Sequence, residues 1–529
     1  SEQLIPIKEN LICELAQDQI SQDIPLGSRV QIIGRFASFS RASNPGEFDQ
    51  AAYYQSLGIC GKLRDARLQA RGSTYWPVRE GLFRIKEYLC QRIYRIFPEE
   101  EAGTMCALLL GDRRGLDGER KDLYKRTGIL HILSISSLHI TIIGMSLYRL
   151  LRRLGLPTVP AALAGSVLLL LYGSMTGFGV SACRAIGMYL IRMLGEILGR
   201  TYDMLTALGV MAALMTIGNP LYLLNAGFLL SFTSLLGIAV VYPGLFPGWE
   251  TKGPGQSLAV SLSITLATMP VQLWFYQEIP IYGTVVNLLV LPFMKPLMIT
   301  GLAVMLIPGL EFLGYFDRGV LWGYDMLCGF FDSLPFGVWN PGRPALWQAA
   351  VYCGMLLGAV ALARWPGTGS AGTGGSKRLC SGQKARQRRR RLYSGVLVLT
   401  GVLALALRPI PENRVIFLDV GQGDCILLQT ASGQNYLFDC GSSSRKNVGR
   451  YVLIPCLKYY GIHRLDAVFL SHADTDHVNG IPELLMLGEK NGITVEQVVL
   501  PATALPAGFE DAGTEQSGRT ETEGSKNAG

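Results

Sequence analysis

Long apolar stretches fill most of the chain between Ile129 and Ala363, and they limit its possible folds more than any other feature. Several approach the ~20 residues that a helix needs to cross a bilayer. They are rich in Gly, Ala, Ser and Thr, which favour close packing of membrane helices. Candidate spans lie near 129–149, 158–178, 180–198, 204–218, 221–242, 257–276, 283–308, 318–334 and 345–363. We therefore predict a polytopic helical membrane bundle over residues 101–363. The mean hydropathy of +0.28 is high for a soluble protein and agrees with a membrane bundle.

The N-terminal part of the chain has a different pattern. Residues 1–75 are polar with short alternating apolar runs, such as 29–34 and 58–63, which predict the strands of a small β module. Residues 76–100 predict an amphipathic helix. That helix can lie on a membrane surface or serve as a plain connector, and its sequence favours neither interpretation.

A basic segment follows the bundle, at residues 364–392. Its arginines and lysines could contact nucleic acid, but the positive-inside rule favours a cytoplasmic loop. The apolar span 393–408 would then carry the chain outward and place the following region outside the cytoplasm. Residues 412–505 alternate predicted strands and helices, as in an α/β domain, and residues 506–529 have a composition typical of disorder.

Residues 471–477, with the sequence SHADTDH, predict a metal site. The chain has only five histidines, and two of them fall in this run with two aspartates. Such residues meet where a protein holds one or two divalent metals and activates water. The alternative is a polar loop whose side chains only cap turns. The metal-ligand candidates are His472, Asp474, Asp476 and His477.

Other acids are expected near the same site, because they also follow apolar runs that predict strands. Asp419 follows residues 415–418, and Asp439 follows residues 436–438. Asp424 comes after a Gly-rich turn and is as consistent with backbone capping as with catalysis. We predict catalytic roles for Asp476, as a metal ligand or as the base for water, and for Asp439, which would orient a ligand. His463 is expected on a surface loop. The cysteines show no CxxC spacing, so neither a zinc ribbon nor a disulfide scaffold is indicated.

Polar residues inside the apolar region are candidates for a wet path across the membrane. The spacing of His131, Ser134, Ser137 and Thr141 predicts one helical face, with His139 beside it. Ordinary hydrogen bonds between helices explain the same residues slightly better. Arg184 has no obvious local partner and is a candidate for contact with phosphates. Arg192 can pair with Glu196 one turn away, which would give it a structural role.

The predicted N-terminal β module carries basic residues among aromatic ones. A surface of this kind can stack the bases of single-stranded nucleic acid and pair with its phosphates. Acidic residues lie among the basic ones, so the residues alone indicate only a small β domain. The family resemblance described next makes Arg35, Arg64 and Arg67 candidate DNA-binding residues.

The order of these parts resembles that of the ComEC family of bacterial competence proteins, from about Asn44 to Pro501. Residues 44–49, with the sequence NPGEFD, are similar to a signature in the family's extracellular OB-fold module. Residues 127–139, 181–188 and 219–232 resemble motifs of its membrane domain. The sequences LDVGQGD (418–424), FDCG (438–441) and the His-x-Asp-x-Asp-His run resemble its C-terminal metallo-β-lactamase-like domain.

The resemblance implies a mixed multidomain fold class. A polytopic α-helical membrane bundle would be flanked by an N-terminal OB-like β module and a C-terminal α/β metallo-β-lactamase-like (αββα) domain. We expect both flanking domains to be incomplete and to lie outside the cytoplasm, in a multi-pass protein of the cell membrane. The chain begins with Ser1 and has no further histidine after His477, which predicts a fragment that ends inside the metallo-β-lactamase-like domain.

The function implied is uptake of single-stranded DNA during natural transformation, with an external metal-dependent phosphodiesterase or nuclease domain. Two divalent ions, Zn²⁺ or Mn²⁺, are expected in the full-length protein, and the carboxylate of Asp474 favours Mn²⁺. The implied partners are single-stranded DNA, the lipid bilayer, a DNA receptor and a cytoplasmic helicase or ATPase. The alternatives are a membrane-tethered metallo-hydrolase of small molecules and a permease with a relict metal domain.

Overall fold

The computed structural model describes residues 9–16, 24–135, 137–247, 253–364, 381–408 and 412–501, with the side chains of 381–385 excepted. The chain divides into two units. The first consists of Ser1–Ala42 and Phe48–Leu407, and the second of Ser43–Glu47 and Arg408–Gly529. The predicted disordered tail at 506–529 and the first part of the predicted basic loop, residues 365–380, lie outside the described residues.

A three-stranded sheet forms the N-terminal part of the first unit. Its strands are β1 (Asn10–Leu15), β2 (Val30–Ala37) and β3 (Ile59–Arg71). The central strand β3 pairs in parallel with β1 and antiparallel with β2. Strands β2 and β3 cover the two apolar runs that predict strands. The three described strands do not establish a five-stranded OB-fold, which stays a prediction.

Helices make up most of the rest of the first unit. They are α1 (Gln50–Ser56), α2 (Pro77–Ile96), α3 (Glu99–Leu110), α4 (Gly118–Arg126), α5 (Ser137–Ile140), α6 (Ser146–Arg153), α7 (Thr158–Thr176), α8 (Val180–Ile197), α9 (Met204–Gly218), α10 (Ala226–Leu236), α11 (Tyr242–Leu245), α12 (Pro254–Phe275), α13 (Gly283–Leu306), α14 (Gly314–Asp332), α15 (Leu346–Arg364) and α16 (Ser381–Ala406). The short strands β4 (Ile279–Pro280) and β5 (Val338–Trp339) pair antiparallel. Helix α2 lies where the sequence predicts an amphipathic helix, and it buries Leu89 and Ile93.

Five helical segments among the described residues are long and apolar enough to cross a membrane. They are Thr158–Thr176, Ala226–Leu245, Pro254–Phe275, Gly283–Leu306 and Leu346–Arg364. Each coincides with one of the nine predicted spans. The other four stretches give helices that are short, interrupted or more highly charged, because a run of apolar residues does not by itself set the length of a helix.

Two sequence predictions about helices were wrong. Residues 129–149 do not form one helix: a 3₁₀ turn at Leu130–Leu133 is followed by extended backbone at Ser134, and a π-helical turn occupies Thr141–Met145. Serine side chains compete with the backbone for hydrogen bonds, which disfavours a continuous helix here. Residues 381–392, predicted as loop, instead begin α16, since arginine is a good helix former.

The second unit contains a five-stranded sheet. Its strands are β6 (Arg414–Phe417), β7 (Ile426–Gln429), β8 (Asn435–Phe438), β10 (Ala467–Phe469) and β12 (Val498–Val499), in the order β12-β10-β8-β7-β6. Strands β6, β7 and β8 pair antiparallel, whereas β10 is parallel to both β8 and β12. The strands β9 (Arg464–Leu465) and β11 (Thr494–Val495) form a separate parallel pair.

Helices cover one face of this sheet. They are α17 (Ile454–Tyr460), α18 (Thr475–Val478) and α19 (Ile481–Gly488). Buried Leu427, Leu437 and Val468 of the sheet share a core with Leu457 and Leu484 of the helices. Side chains on the other face, including Phe417 and Phe438, are exposed. The described residues thus give one sheet with one helical layer, and the four-layered αββα arrangement stays a prediction.

Candidate functional site

The candidate site lies at one edge of the five-stranded sheet. Strands β8 and β10 are parallel neighbours, so their carboxyl ends meet at the same edge. Asp439 directly follows β8, and the loop from Ser471 to Asp474 follows β10. Asp424 lies at the same edge, because it directly precedes the start of β7 and β7 runs antiparallel to β8. The backbone N–H of Asp439 donates to the carbonyl of Phe469, which ties these strand ends together.

Asp439 holds the loop that carries the histidines. Its carboxylate accepts the Ser471 N–H at 2.8 Å and the Ser471 hydroxyl at 2.7 Å. It also lies 3.0 Å from Nδ1 of His477, and because a carboxylate only accepts, the proton is assigned to that nitrogen. Oγ of Ser471 is 2.8 Å from Nδ1 of His472. Both imidazoles are therefore oriented through Nδ1, which leaves Nε2 of each ring available as a ligand atom.

Three side chains have the geometry to hold a metal ion. His472, Asp476 and His477 each offer one ligand atom, and the three atoms lie within 4.8 Å of one another. An ion with ligand distances of ~2.1 Å holds tetrahedrally arranged ligand atoms about 3.4 Å apart, so the most separated pair would have to approach by up to ~1.4 Å on binding. Imidazole nitrogen and carboxylate oxygen suit Zn²⁺ and Mn²⁺. The contact between Asp439 and His477 has the form of the carboxylate–histidine pair that commonly supports a metal ligand.

The remaining acids lie around this group, and two of them approach one of its histidines. Asp474 approaches Nε2 of His472 to 3.5 Å, but its side chain is 78% exposed and it stands outside the group of three. Oδ2 of Asp424 is 3.7 Å from Nδ1 of His477. Asp419 faces Arg445, and the pKa of its carboxyl is lowered by the Ser43 hydroxyl, the Gly421 N–H and the Arg445 charge. Roles for these acids in catalysis stay predictions. His463 is exposed, in keeping with its place on a loop.

The sequence did not predict the roles of the small residues that pack the site. A Cβ at Gly441 would lie 2.4 Å from the backbone nitrogen of His477, so only glycine allows this approach. The backbone N–H of Cys440 donates to the carbonyl of His477, and that of Gly480 donates to the carbonyl of Cys440. Asn479 bonds both main-chain polar groups of Ser442. In the sequence, only Gly441, near Asp439, and Gly480, near His477, could have indicated this close packing.

The structure separates the candidates for a path through the membrane. His131 and Ser137 are exposed, Ser134 is half-buried, and the broken helix means that they share no regular face. His139 is fully buried, with Nε2 at 2.8 Å from the carbonyl oxygen of Leu108. That contact fits a bond between helices. A DNA-path role for these residues stays a prediction.

Arg184 is buried within α8. Its Nη1 donates to the carbonyl of Ser231 at 2.9 Å, and its guanidinium lies 5.9 Å from the ring centre of Phe232. Its Nε is buried and finds no hydrogen-bond partner among the residues that the structure describes. Arg192 lies over the ring of Tyr202, at 5.6 Å, and the ion pair with Glu196 that its spacing allows is not formed among the described residues. A cation over an aromatic face is a competing arrangement that residue spacing does not reveal.

The three candidate DNA-binding arginines are exposed on β2 and β3. Arg35 and Arg64 stand directly opposite each other in the antiparallel register, and Arg67 stands opposite Ile33. Like charges directly opposite each other on neighbouring strands repel. Phe36 exposes 64% of its surface, but successive residues of a strand point to opposite faces of the sheet, so Phe36 lies on the face away from Arg35. The arginines therefore form an exposed basic cluster, and DNA binding by it stays a prediction.

Comparisons with known proteins cover both units. The family model described as competence protein matches residues 108–366, and that of the metallo-beta-lactamase superfamily matches residues 418–500. ComE operon protein 3 of Bacillus subtilis (strain 168) is 25% identical over 499 residues, which cover 90% of this chain and 60% of that protein. Competence protein ComA of Neisseria gonorrhoeae is 26% identical over 88% of this chain and 64% of its own length.

A third relative, Recombination protein 2 of Haemophilus influenzae, is 25% identical over 85% of this chain and 59% of that protein. The chain therefore spans about three fifths of the length of these relatives. No solved structure matches it. The competence and metallo-beta-lactamase matches follow one another in the order that the motifs predict, which confirms the resemblance. These matches and relatives show that the chain is similar to the ComEC family of competence membrane proteins in both of its units.

Proposed function

We propose that the full-length protein is a channel of the cytoplasmic membrane that takes up single-stranded DNA during natural transformation and carries an external metal-dependent phosphodiesterase domain. The observation that carries the proposal is the meeting of His472, Asp476 and His477 in a chain whose other unit is similar to the competence family. Five apolar helices in the described ranges and the similarity to the competence family indicate a multi-pass membrane protein. A mere anchor for a hydrolase needs only one or two such helices.

The site supports hydrolysis through its donor set. Nε2 of His472, Nε2 of His477 and the carboxylate of Asp476 would hold the ion, and Asp439 would keep the His477 ring in place. When bound, Zn²⁺ or Mn²⁺ supplies the Lewis acidity that activates water and polarises a phosphodiester. Exposed Asp474 and Asp424 are near enough to take part in a second site or to accept a proton from water.

The first unit supports the proposal through its charges. Arg35 and Arg64 repel each other in the free protein, and a phosphate between them would relieve that repulsion. Phe36, exposed on the opposite face of the same strand, is a second place at which a base can stack. In the membrane region, the Nε of buried Arg184 has no partner within the described part of the chain and is a donor that an anion passing close by could use.

The channel function is tested by transformation. A strain lacking the gene is complemented with the full-length wild type or with the double variant R35A/R64A, and transformants are counted at equal protein abundance. We expect no uptake without the gene and reduced uptake with R35A/R64A. Normal uptake in the deletion strain would eliminate the channel function and favour a membrane-tethered hydrolase of small molecules. A DNA receptor and a cytoplasmic motor remain proposed partners, to be sought by cross-linking during uptake.

The metal function is tested on the purified full-length protein with H472A/D476A. The matched control is H463A, which removes an exposed imidazole of the same unit. We expect the double variant to lose bound metal and phosphodiester cleavage, while H463A retains both. Unchanged metal content and cleavage in H472A/D476A would exclude this site. Normal transformation by a variant that cannot cleave would favour a permease with a relict metal domain.

A further inference from the structure

The second unit includes a short piece of the N-terminal sequence, Ser43–Glu47. This segment contains most of the NPGEFD motif and forms a β-turn, in which the N–H of Glu47 donates to the carbonyl of Asn44. Pro45 and Gly46 occupy its central positions, and Gly46 has φ +79. Proline followed by a residue with positive φ is the signature of a type II turn.

The turn binds the end of β6 through the side chain of Asn44. Its Oδ1 accepts the Asp419 N–H at 2.7 Å, and its Nδ2 donates to the Asp419 carbonyl at 2.9 Å, across 375 positions of sequence. One amide thus satisfies both main-chain groups of Asp419, as a neighbouring strand would. Asn44 is 6% exposed. Buried, doubly bonded amides of this kind fix a backbone in one position.

Glu47 and Gly46 hold the turn in place. Oε2 of Glu47 accepts from both the main-chain and side-chain nitrogens of Asn44, at 3.1 and 3.0 Å, and so fixes the orientation of the amide. Arg445 lies 3.6 Å from Glu47 and donates to the Asp419 carbonyl at 3.0 Å. A Cβ at Gly46 would lie 2.3 Å from the carbonyl oxygen of Pro455 in α17, so the turn packs against that helix without room for a side chain.

Asp419 begins the loop that leads to the candidate metal site. Its Oδ1 accepts the Gly421 N–H at 3.1 Å. Further along, the Asp424 N–H donates to the Asp476 carbonyl at 3.2 Å, and a Cβ at Gly423 would lie 2.5 Å from that same oxygen. The loop 419–424 is therefore held by the turn at one end and packed against a proposed metal ligand at the other.

We propose that the Ser43–Glu47 turn is a positioning element of the metal centre, which acts by fixing loop 419–424 against the backbone of Asp476. Asn44 and Glu47 are positioning residues, because they act through Asp419 and touch none of the three proposed ligands. The expected effect on metal affinity rests on the proposed metal function. The effect of the turn on the position of loop 419–424 does not depend on that function.

The test compares N44A with D49A in the full-length protein. Asp49 caps α1 by accepting the Ala52 N–H at 2.8 Å, so D49A removes a side chain five positions away without touching Asp419. The first measurement is hydrogen exchange of residues 418–424 in metal-free protein, with β8 as an internal reference. We expect exchange of this segment to rise at least tenfold in N44A and to stay at the wild-type rate in D49A. The second is the dissociation constant for Mn²⁺ or Zn²⁺, which should rise about tenfold in N44A alone.

E47Q provides a milder variant if N44A does not fold, because it keeps the shape of the side chain while weakening its acceptor. It should raise exchange of 418–424 in the same direction. Equal exchange and equal metal affinity in N44A, E47Q and D49A would overturn the proposal. If the wild type binds neither metal, the metal function fails, and exchange alone decides whether the turn fixes the loop. Increased exchange spread evenly over the second unit would show a general structural role and would also overturn it.

Discussion

Replacement of Asp439 by Asn tests how the carboxylate beside His477 supports metal binding. Asp439 has φ +52, a conformation that Asn tolerates better than other side chains, so D439N changes the chemistry with little backbone strain. The two carboxylate oxygens accept three hydrogen bonds, from the N–H and hydroxyl of Ser471 and from His477. The amide keeps one acceptor oxygen and turns a donor NH₂ towards the Nδ1–H of His477 or towards Ser471.

The size of the effect follows from the role of this carboxylate. A group that orients a metal-bound histidine contributes roughly 10–100-fold to metal affinity, or about 1.4–2.7 kcal/mol. Only 11% of the Asp439 side chain is exposed, so water cannot easily replace the lost acceptor. We therefore expect the dissociation constant for Zn²⁺ to rise by 10–100-fold in D439N.

The assay is competition for Zn²⁺ against a coloured chelator, with the full-length protein in detergent. The matched control is D466N: Asp466 accepts the Asn435 N–H at 2.8 Å in the same sheet, away from the histidines. D466N should bind zinc like the wild type. A D439N affinity within twofold of the wild type would refute the carboxylate–histidine pairing, as would an equal loss in D466N.

Three further results are expected. Arg126 forms two hydrogen bonds of 2.7 Å with Asp332, so R126A should lower the free energy of unfolding of the first unit by about 1.5–3 kcal/mol, measured by thermal or denaturant unfolding. R35A should stabilise the N-terminal sheet by ~0.2–1 kcal/mol, because it removes the repulsion from Arg64, yet weaken binding of single-stranded DNA and reduce its salt dependence. The pKa of Asp419 is lowered in the folded protein, so its stabilisation is present above the unfolded pKa and lost as the pH falls through the folded pKa. The stability difference between wild type and D419N should therefore shrink below about pH 4, measured by urea unfolding.

Each of these results has a clear contrary outcome. Unchanged stability in R126A would mean that the ion pair contributes no more than an exposed one, such as Arg464–Glu496. Tighter DNA binding by R35A would exclude the β2–β3 surface as a phosphate site. A pH-independent difference between wild type and D419N would show that its carboxylate gains nothing from Ser43 and Arg445 in the folded state.

Local patterns predicted much of the fold and part of the site. Alternating apolar residues located β2 and β3, and long apolar runs located five helices. His472, Asp476 and His477 lie within six positions of one another, so the run predicted a common site, but Asp474 of the same run stands outside the group. Closeness in sequence therefore located the site without selecting its ligands. The break in the helix at Ser134 was missed because hydrophobicity alone does not report competition by serine hydroxyls.

Contacts between distant residues could not be predicted from the pattern. The partner of Arg184 is a main-chain carbonyl at Ser231, and any residue type could supply it. The bond between Asn44 and Asp419 spans 375 positions, and neither residue carries a signal for the other. The motif around Asn44 was recognised by family resemblance, but its place in the second unit required the structure.

The second unit is built from two segments that are far apart in sequence, and this restricts how often the chain crosses the bilayer. Ser43–Glu47 and residues 412–501 fold together, so both must reside in the same aqueous compartment. The intervening sequence must then traverse the lipid an even number of times. Five apolar helices were found among the described residues, and five is odd. If all five cross, at least one more segment crosses too, and the apolar half of α16, Leu392–Ala406, is the foremost candidate. Reporter fusions placed on either side of α16 should therefore report opposite faces of the membrane.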